Sequence, residues 1–451
     1  MDRTPLDKWI ASKIFEDPPG RSLSQADLNR HQLAKLRETI DYVRWKSPFY
    51  REHLAGLPPG GLKDLEDLKQ FPFTTPEHLQ ERGPEFLCVS QSEIERVVTL
   101  EIPGATTKPR RLYFTEEDVE LTVDFFHHGM STLVTPGQKV LVLMPGDRPA
   151  SVGDLLVRAL RRMNAEGIVH GIVQNPGDTI REILRHNIDC LVGIPTQVLS
   201  LARHKAGASI PQGRIKSVLL SSDYVSPAIV QELESAWGCR VFNHYGSTEM
   251  GLGGGVECQA LQGYHLREAD LYFEIVDPSS GEPQQAGMWG EIVFTTMTRK
   301  GMPLIRYRTG DLSRFLSDAC PCGTTLRRLD RVRGRLRDFA PVGESHWLGI
   351  VELDDVLFPV PGLLDYQAIL TDGNNQDRLD IVVRAGACEH EAFLDAVYRA
   401  LTQLEAVRKA IHDGSIAVGS VEFATERWDI TGTSKRSIHD QRSAASKTTS
   451  L

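Results

Sequence analysis

No stretch of this chain approaches the about 20 apolar residues that a membrane-crossing helix needs. The opening residues, MDRTPLDKWIASKIFEDPPG, carry acids and lack an apolar run of signal-peptide length. Cysteine is scarce: seven residues, an odd number, scattered over 451 positions, which argues against a disulfide framework. Positive charge is also short, with 51 basic against 60 acidic residues and a net charge of −9, so there is no general footprint for nucleic acid or an anionic membrane. The GxxxxGK[ST] phosphate loop is missing as well. These absences point to a cytoplasmic chain with neither nucleic acid nor membrane as partner. What remains, 41% hydrophobic and 25% charged residues, is the composition of an ordinary globular protein, long enough for two or three domains.

Residues 1–95 read as helical. SLSQADLNRHQLAKLRETIDYVRWKSPFYREHL repeats apolar positions at helical spacing with Ser24 as candidate N-cap, and FPFTTPEHLQER offers Thr75 as cap with Pro76 in the first turn. ERVVTLEI and RRLYFT read as two strands. From 115 to 245 short apolar runs (KVLVLM, GIVHGIV, DCLVGIP, SVLLSS, CRVFNHY) alternate with helical segments, which predicts a parallel sheet covered by helices with ligand loops at the strands' C-terminal ends. His127 and His128 fall on a helix and read as face residues. Residues 256–334 turn β-rich and antiparallel, with DPSSGEP as a turn. After RVRGRLRD a small α+β unit occupies 335–440, and the polar tail 441–451 reads as disordered. The fold class is therefore α/β. A large multi-layer N-terminal domain (helical 1–95, α/β 96–255, β-rich 256–334) precedes a small α+β C-terminal domain, which the resemblance described below implies is mobile.

Four polar stretches stand out. HYGSTE, where a strand runs into Gly246, Ser247, Thr248 and Glu249, has hydroxyls and backbone N–H groups that can hold phosphate oxygens and an acid that can hold magnesium. Taken alone it is a polar turn. The loop PGATTKP, with Gly104, Thr106, Lys108 and the following Arg110, has the ingredients of a phosphate cradle or of a solvated basic hairpin. Ser222 and Asp223 end another strand of the alternating region. RYRTGDL sets Asp311 at a strand end, where a carboxylate suits a vicinal diol or a surface salt bridge. Separately, Cys258, His265, Cys320 and Cys322 can form a Cys₃His tetrahedron, a closed structural zinc site; reduced, unliganded thiols are the alternative.

These stretches, with KSPFYREHL, YFTEEDVE, VECQALQGYHLREAD, the CPCG knuckle and GRLRD, run in an order that resembles the phenylacetate–CoA ligase branch of the adenylate-forming superfamily over nearly the whole chain. The resemblance implies ATP-dependent adenylation of an aryl or other small carboxylic acid, release of pyrophosphate, and transfer of the acyl group to a thiol such as coenzyme A. It also implies residue roles. Thr248 would touch the adenylate phosphate, Glu249 would hold Mg²⁺, and Tyr245 would stack near adenine. Asp311, with Arg335, would bind the ribose, and Ser222 and Asp223 would line the adenine pocket. Arg337 and Asp338 would form the hinge, and Lys435 would reach the α-phosphate. Zinc on the Cys₃His set is implied too.

Two departures qualify that picture. Where the family reads close to TSGTTGKPKR, this chain has IPGATTKPRR, losing a backbone donor at Pro103 and a hydroxyl at Ala105. The tail has Gly432-Thr433-Ser434-Lys435 where many relatives have a Gly-Lys pair. Alternatives therefore stand beside the ligase: a non-catalytic AMP- or acyl-adenylate-binding protein, or an adenylating enzyme with a carrier-protein or amine acceptor. A homodimer is compatible with the sequence.

Overall fold

The computed structural model describes residues 2–15, 22–57, 61–100, 108–342, 346–373, 376–386, 388–424 and 436–442. The chain forms two compact units. The first contains Met1–Gln138, Pro145–Gly167 and Phe242–Val332, and the second Lys139–Met144, Ile168–Val241 and Arg333–Leu451.

The first unit begins with helices whose starts follow local chemistry. The Ser24 side chain accepts from the Asp27 amide to open Gln25–Lys46. Thr75 and His78 form a reciprocal capping box for Pro76–Arg82, whose proline needs no N–H partner in the first turn. Ile94–Leu100 and Arg110–Thr115 then pair antiparallel. Thr115 caps the helix Glu116–Met130, which carries His127 and His128. Tyr264–Leu266 and Leu271–Val276 are separate strands. The former pairs with Gly255–Glu257 and Arg328–Leu329, and the latter opens an antiparallel sheet with Gly290–Thr296 and Tyr307–Ser313.

The second unit holds parallel strands Lys139–Val142, Cys190–Gly193 and Ser217–Leu220, with register Val140↔Cys190 and Cys190↔Ser217. Every residue of the latter two strands is buried, as expected of a parallel sheet covered on both faces. Between them lies the helix Pro195–Ala202, a segment that sequence periodicity missed because it is buried nearly all round and shows no polar face. The same unit contains the α+β segment after residue 333. Leu363–Thr371 and Asp377–Ala385 pair antiparallel, Ile416–Phe423 and His439–Asp440 add parallel on the two outer sides, and helices Ile350–Leu357, His390–Gln403 and Glu405–His412 accompany them. One apolar core runs from Leu141 and Trp237 to Leu353, Leu370 and Leu401.

Gly253 shows how tightly the first unit is packed. A Cβ there would meet the Phe125 ring at 2.2 Å, and that ring is pinned against Trp9 and His244 at centroid distances of 6.0 and 6.1 Å. Gly253→Ala should therefore cost about 1–3 kcal/mol through overpacking, read as a lowered urea midpoint. An unchanged midpoint would show that Phe125 has room to retreat.

Candidate functional site

The strand Arg240–Tyr245 ends on Gly246. A Cβ at Gly246 would lie 2.4 Å from the Leu252 carbonyl oxygen, so glycine alone lets the chain return over itself here. Backbone bonds stitch the return: Leu252 N to Ser247 O at 2.8 Å, Gly251 N to Thr248 O at 3.0 Å and Gly254 N to Tyr245 O at 2.9 Å. Leu252 and Gly251 both take left-handed φ values, 67° and 73°. The amides of Ser247, Thr248 and Glu249 donate to nothing among the described residues. Uncommitted N–H groups beside two hydroxyls make a surface for an anion.

Glu249 faces the other way, into a buried polar knot. Its Oε1 accepts from Arg110 Nη1 at 3.1 Å and from the Tyr307 hydroxyl at 3.3 Å, and Arg110 Nη1 also lies 3.0 Å from that hydroxyl. Burial, reinforced by the Glu249 charge, raises the Tyr307 phenol well above its usual range, so it stays a donor. Oε2 of Glu249 has no protein partner among the described residues. An acceptor oxygen of this kind fits a hard cation such as Mg²⁺. Sequence reading missed both partners. Tyr307 was visible four positions before Asp311 in the same strand, and Arg110 was read only as part of a phosphate loop.

Asp311 is 1% exposed, and its Oδ2 accepts from the Tyr245 hydroxyl at 2.9 Å. A pairing irregularity between Glu291 and Val293 faces Gly310, which sits at φ 73°. Such bulges re-aim the side chain that follows. Glu291 holds the bulge, accepting from the Gly310 amide at 2.9 Å and from Arg308 Nε at 2.7 Å. Tyr245 itself is 4% exposed.

The four predicted zinc ligands come together. Cys258, His265, Cys320 and Cys322 are all buried with their ligand atoms within 4.8 Å of one another. Cys258 Sγ lies 3.6 Å from Cys320 Sγ, and Cys322 Sγ 3.6 Å from His265 Nε2. A tetrahedron with metal–sulfur bonds of about 2.3 Å has edges of about 3.8 Å, so the donor set fits a closed site. Burial pushes the Cys258 thiol up to about 12. Burial also acts against the Cys322 thiolate, but the His265 hydrogen bond and backbone N–H groups outweigh it and bring Cys322 down to about 6. A thiol lowered in this way is the readier metal ligand.

Asp124, His127 and His128 form a second, half-exposed group. Here Asp124 Oδ2 accepts from Trp9 Nε1 at 2.8 Å, Lys13 lies 3.4 Å from the same oxygen, and Trp9 stacks on His128. A lysine on the carboxylate fits a packed helix face better than a metal site.

In the second unit, Ser222 sits at φ 77°, a strained value for a non-glycine residue and a frequent mark of functional loops. Its neighbour Asp223 pairs with Arg436 at 3.0 Å. Arg335 leads into the short helical turn Leu336–Asp338 that carries Arg337 and Asp338. Lys108 is exposed. Gly104, Thr106 and Lys435 lie outside the described residues.

Tyr245→Phe would strip a buried carboxylate of one donor. Because hydrogen bonds to charged groups are worth about 1.5–3 kcal/mol, its urea unfolding midpoint should fall accordingly. A neutral result would mean that Asp311 is satisfied elsewhere.

Comparison with known proteins agrees with this geometry. The profile described as AMP-binding enzyme matches residues 130–298. A phenylacetate-coenzyme A ligase of Thermus thermophilus is 28% identical over 416 residues, covering 88% of this chain and 92% of the relative. The phenylacetate-coenzyme A ligase of Pseudomonas putida is 26% identical, covering 82% and 85%. Among solved structures, 2-hydroxyisobutyryl-CoA ligase in the postadenylation state, in complex with an acyl-AMP, shares the fold with a TM-score of 0.77 at 21% identity, covering 95% and 94% of the two chains. Fold, motif order and sequence relatives agree: the chain is similar to AMP-binding enzymes over residues 130–298 and to phenylacetate-coenzyme A ligases over most of its length, and it shares the fold of an acyl-CoA ligase.

Proposed function

We propose that this protein is an AMP-forming acid–thiol ligase. A carboxylate oxygen of a small acid, with aryl acids the first candidates, attacks the α-phosphorus of ATP and pyrophosphate leaves. The sulfur of coenzyme A then attacks the acyl carbon and AMP leaves. The observation that carries this reading is the turn after Tyr245, where three uncommitted amides and two hydroxyls follow directly on the tyrosine that donates to Asp311. A phosphate acceptor surface and a diol-binding carboxylate so connected are what a nucleoside monophosphate requires.

In this reading Ser247 and Thr248 hold the α-phosphate while Gly246 lets the backbone approach it. Asp311, Arg335, Tyr245 and Ser222 hold the nucleoside, Asp223 being taken up by Arg436, and Gly104, Thr106 and Lys108 steady the outer phosphates. Lys435 stabilises charge at the pentavalent phosphorus. Glu249 would hold magnesium, which when bound neutralises phosphate charge. Residues 335–440 act as the small domain, turning at Arg337 and Asp338 between half-reactions. The cytoplasm, which supplies ATP, coenzyme A and reducing conditions for free thiols, is the matching compartment.

ATP–pyrophosphate exchange across a panel of aryl and aliphatic acids tests the first step. Exchange should rise selectively with one class, and silence with every acid would count against the ligase. Lys435→Ala should slow exchange by about 10²-fold or more, as for loss of a charge-stabilising donor, with AMP affinity nearly unchanged. One observation favours a second reading: Arg110, from the altered phosphate loop, is engaged with Glu249. A protein that binds AMP or an acyl-adenylate without turnover would show calorimetric binding of AMP, little preference for ATP, and no exchange. Product analysis without coenzyme A would reveal a carrier-protein or amine acceptor, and light scattering would reveal a homodimer.

We also propose a structural zinc on Cys258, His265, Cys320 and Cys322, supported by the closed, buried donor set. Purified protein should contain stoichiometric zinc by elemental analysis, and Cys320→Ser should lose both metal and thermal stability. Metal-free protein with all four side chains open to alkylation or modification would remove the zinc.

A further inference from the structure

The segment 436–442 is fastened by an arginine at each end, and the two arginines do different things. Arg442 binds Asp440, Asp377 at 2.6 Å and the Pro341 carbonyl at 2.8 Å. Between the arginines the strand His439–Asp440 adds to Leu363–Thr371, and Gln441 N donates to Leu370 O at 2.8 Å. All of Arg442's partners lie after residue 333, so they travel together in any motion of the C-terminal segment. Arg436 is different. Its Nη2 donates to Asp354 and its Nη1 lies 3.7 Å from Asp365, both in the C-terminal segment, but its Nε donates to Asp223 Oδ2 at 3.0 Å in the loop after the parallel strand Ser217–Leu220.

The surroundings make this bond exacting yet cheap to open. The guanidinium lies over the Phe358 and Tyr366 rings, 5.0 and 5.5 Å from their centroids, and its side chain is 14% exposed. Tyr366 donates its hydroxyl to Asp354 at 2.6 Å, so Asp354 keeps a donor whichever way Arg436 turns. Three carboxylates compete for one cation, and burial, with Asp223 as an added like charge, raises Asp354 to about 7. Buried ion pairs contribute little net stability, because desolvation offsets attraction, but they are strict about geometry. When such a pair opens, both groups return to water. A contact that must form and break on every turnover needs that balance.

Resting on the two-step reaction proposed above, we infer that the Arg436–Asp223 bond is a reversible latch, closed for adenylation and released for thioester transfer. Arg436 is then a positioning residue that touches neither substrate nor reacting atoms. It follows Lys435 directly in the sequence, and consecutive Cα atoms are only about 3.8 Å apart. Holding Arg436 to Asp223 therefore fixes the start of segment 436–442 beside the loop after Ser217–Leu220.

The test compares half-reactions in Arg436→Gln, Asp223→Asn and the double variant, with the wild type alongside. Adenylation is read by ATP–pyrophosphate exchange, and transfer by thioester formation from supplied acyl-adenylate and coenzyme A. Each single variant should slow exchange about tenfold and leave transfer within about twofold, and the double should be no slower than the worse single. Asp223→Asn, which leaves Arg436 its partners Asp354 and Asp365, should also speed amide hydrogen exchange across 436–442 at an unchanged melting temperature. Equal losses in both half-reactions, additive effects in the double variant, or unaltered protection at 436–442 would overturn the latch while leaving the ligase standing. A wild type silent in exchange would sink the ligase and the latch's catalytic role together.

Discussion

The carbonyl of Leu252 occupies the space where Gly246 would carry a side chain. That close crossing lets the strand Arg240–Tyr245 end abruptly and come back as Gly255–Glu257, with which it pairs through His244↔Val256 and Tyr245↔Gly255. Because the return is so tight, the amides of residues 247–249 have no backbone partner among the described residues and are open to an anion. The same reversal turns Glu249 inward onto Arg110 and Tyr307. A donor surface and a buried carboxylate thus arise from one glycine.

Charge in this chain is organised around carboxylates that each hold more than one donor. Glu291 pins a bulge through Gly310 and Arg308, and Glu257 receives the Asn243 amide and side chain at 2.9 and 2.8 Å. Arg203 does the converse in the second unit, donating to Glu232 and to the carbonyls of Phe358, Val360 and Leu363 at the end of the helix Ile350–Leu357. Buried charge is costly unless fully paired, so such groups fix geometry more than they add stability. The Arg436 cluster, with three acids to one base, is the least evenly matched of these, and it is where adjustability belongs.

The metal-type cluster and the nucleotide-type turn are built by different logic. The four zinc-type ligands sit in a closed, dry group with one thiolate already favoured by His265. The turn keeps uncommitted donors. A closed donor set would staple, on binding a metal, short strands such as Tyr264–Leu266 and Arg328–Leu329, whereas catalysis needs groups left unsatisfied until substrate arrives.

Much of this was legible in the sequence, and for identifiable reasons. Caps at Ser24 and Thr75, the turn DPSSGEP and the alternation of strand and helix from 115 to 245 are local signals, and the structure places those elements at the expected positions. The Cys₃His grouping was readable because few residue types can do that chemistry. The helix Pro195–Ala202 was not, since burial on all sides erases the periodicity that marks a helix. Nor were the partnerships of Arg110 with Glu249, 139 residues apart, and of Arg436 with Asp223, 213 residues apart. The sequence by itself determined which groups exist and which local turns present them. Only tertiary packing decided which charges met, because pairing between distant residues depends on long-range chain closure that no local pattern encodes.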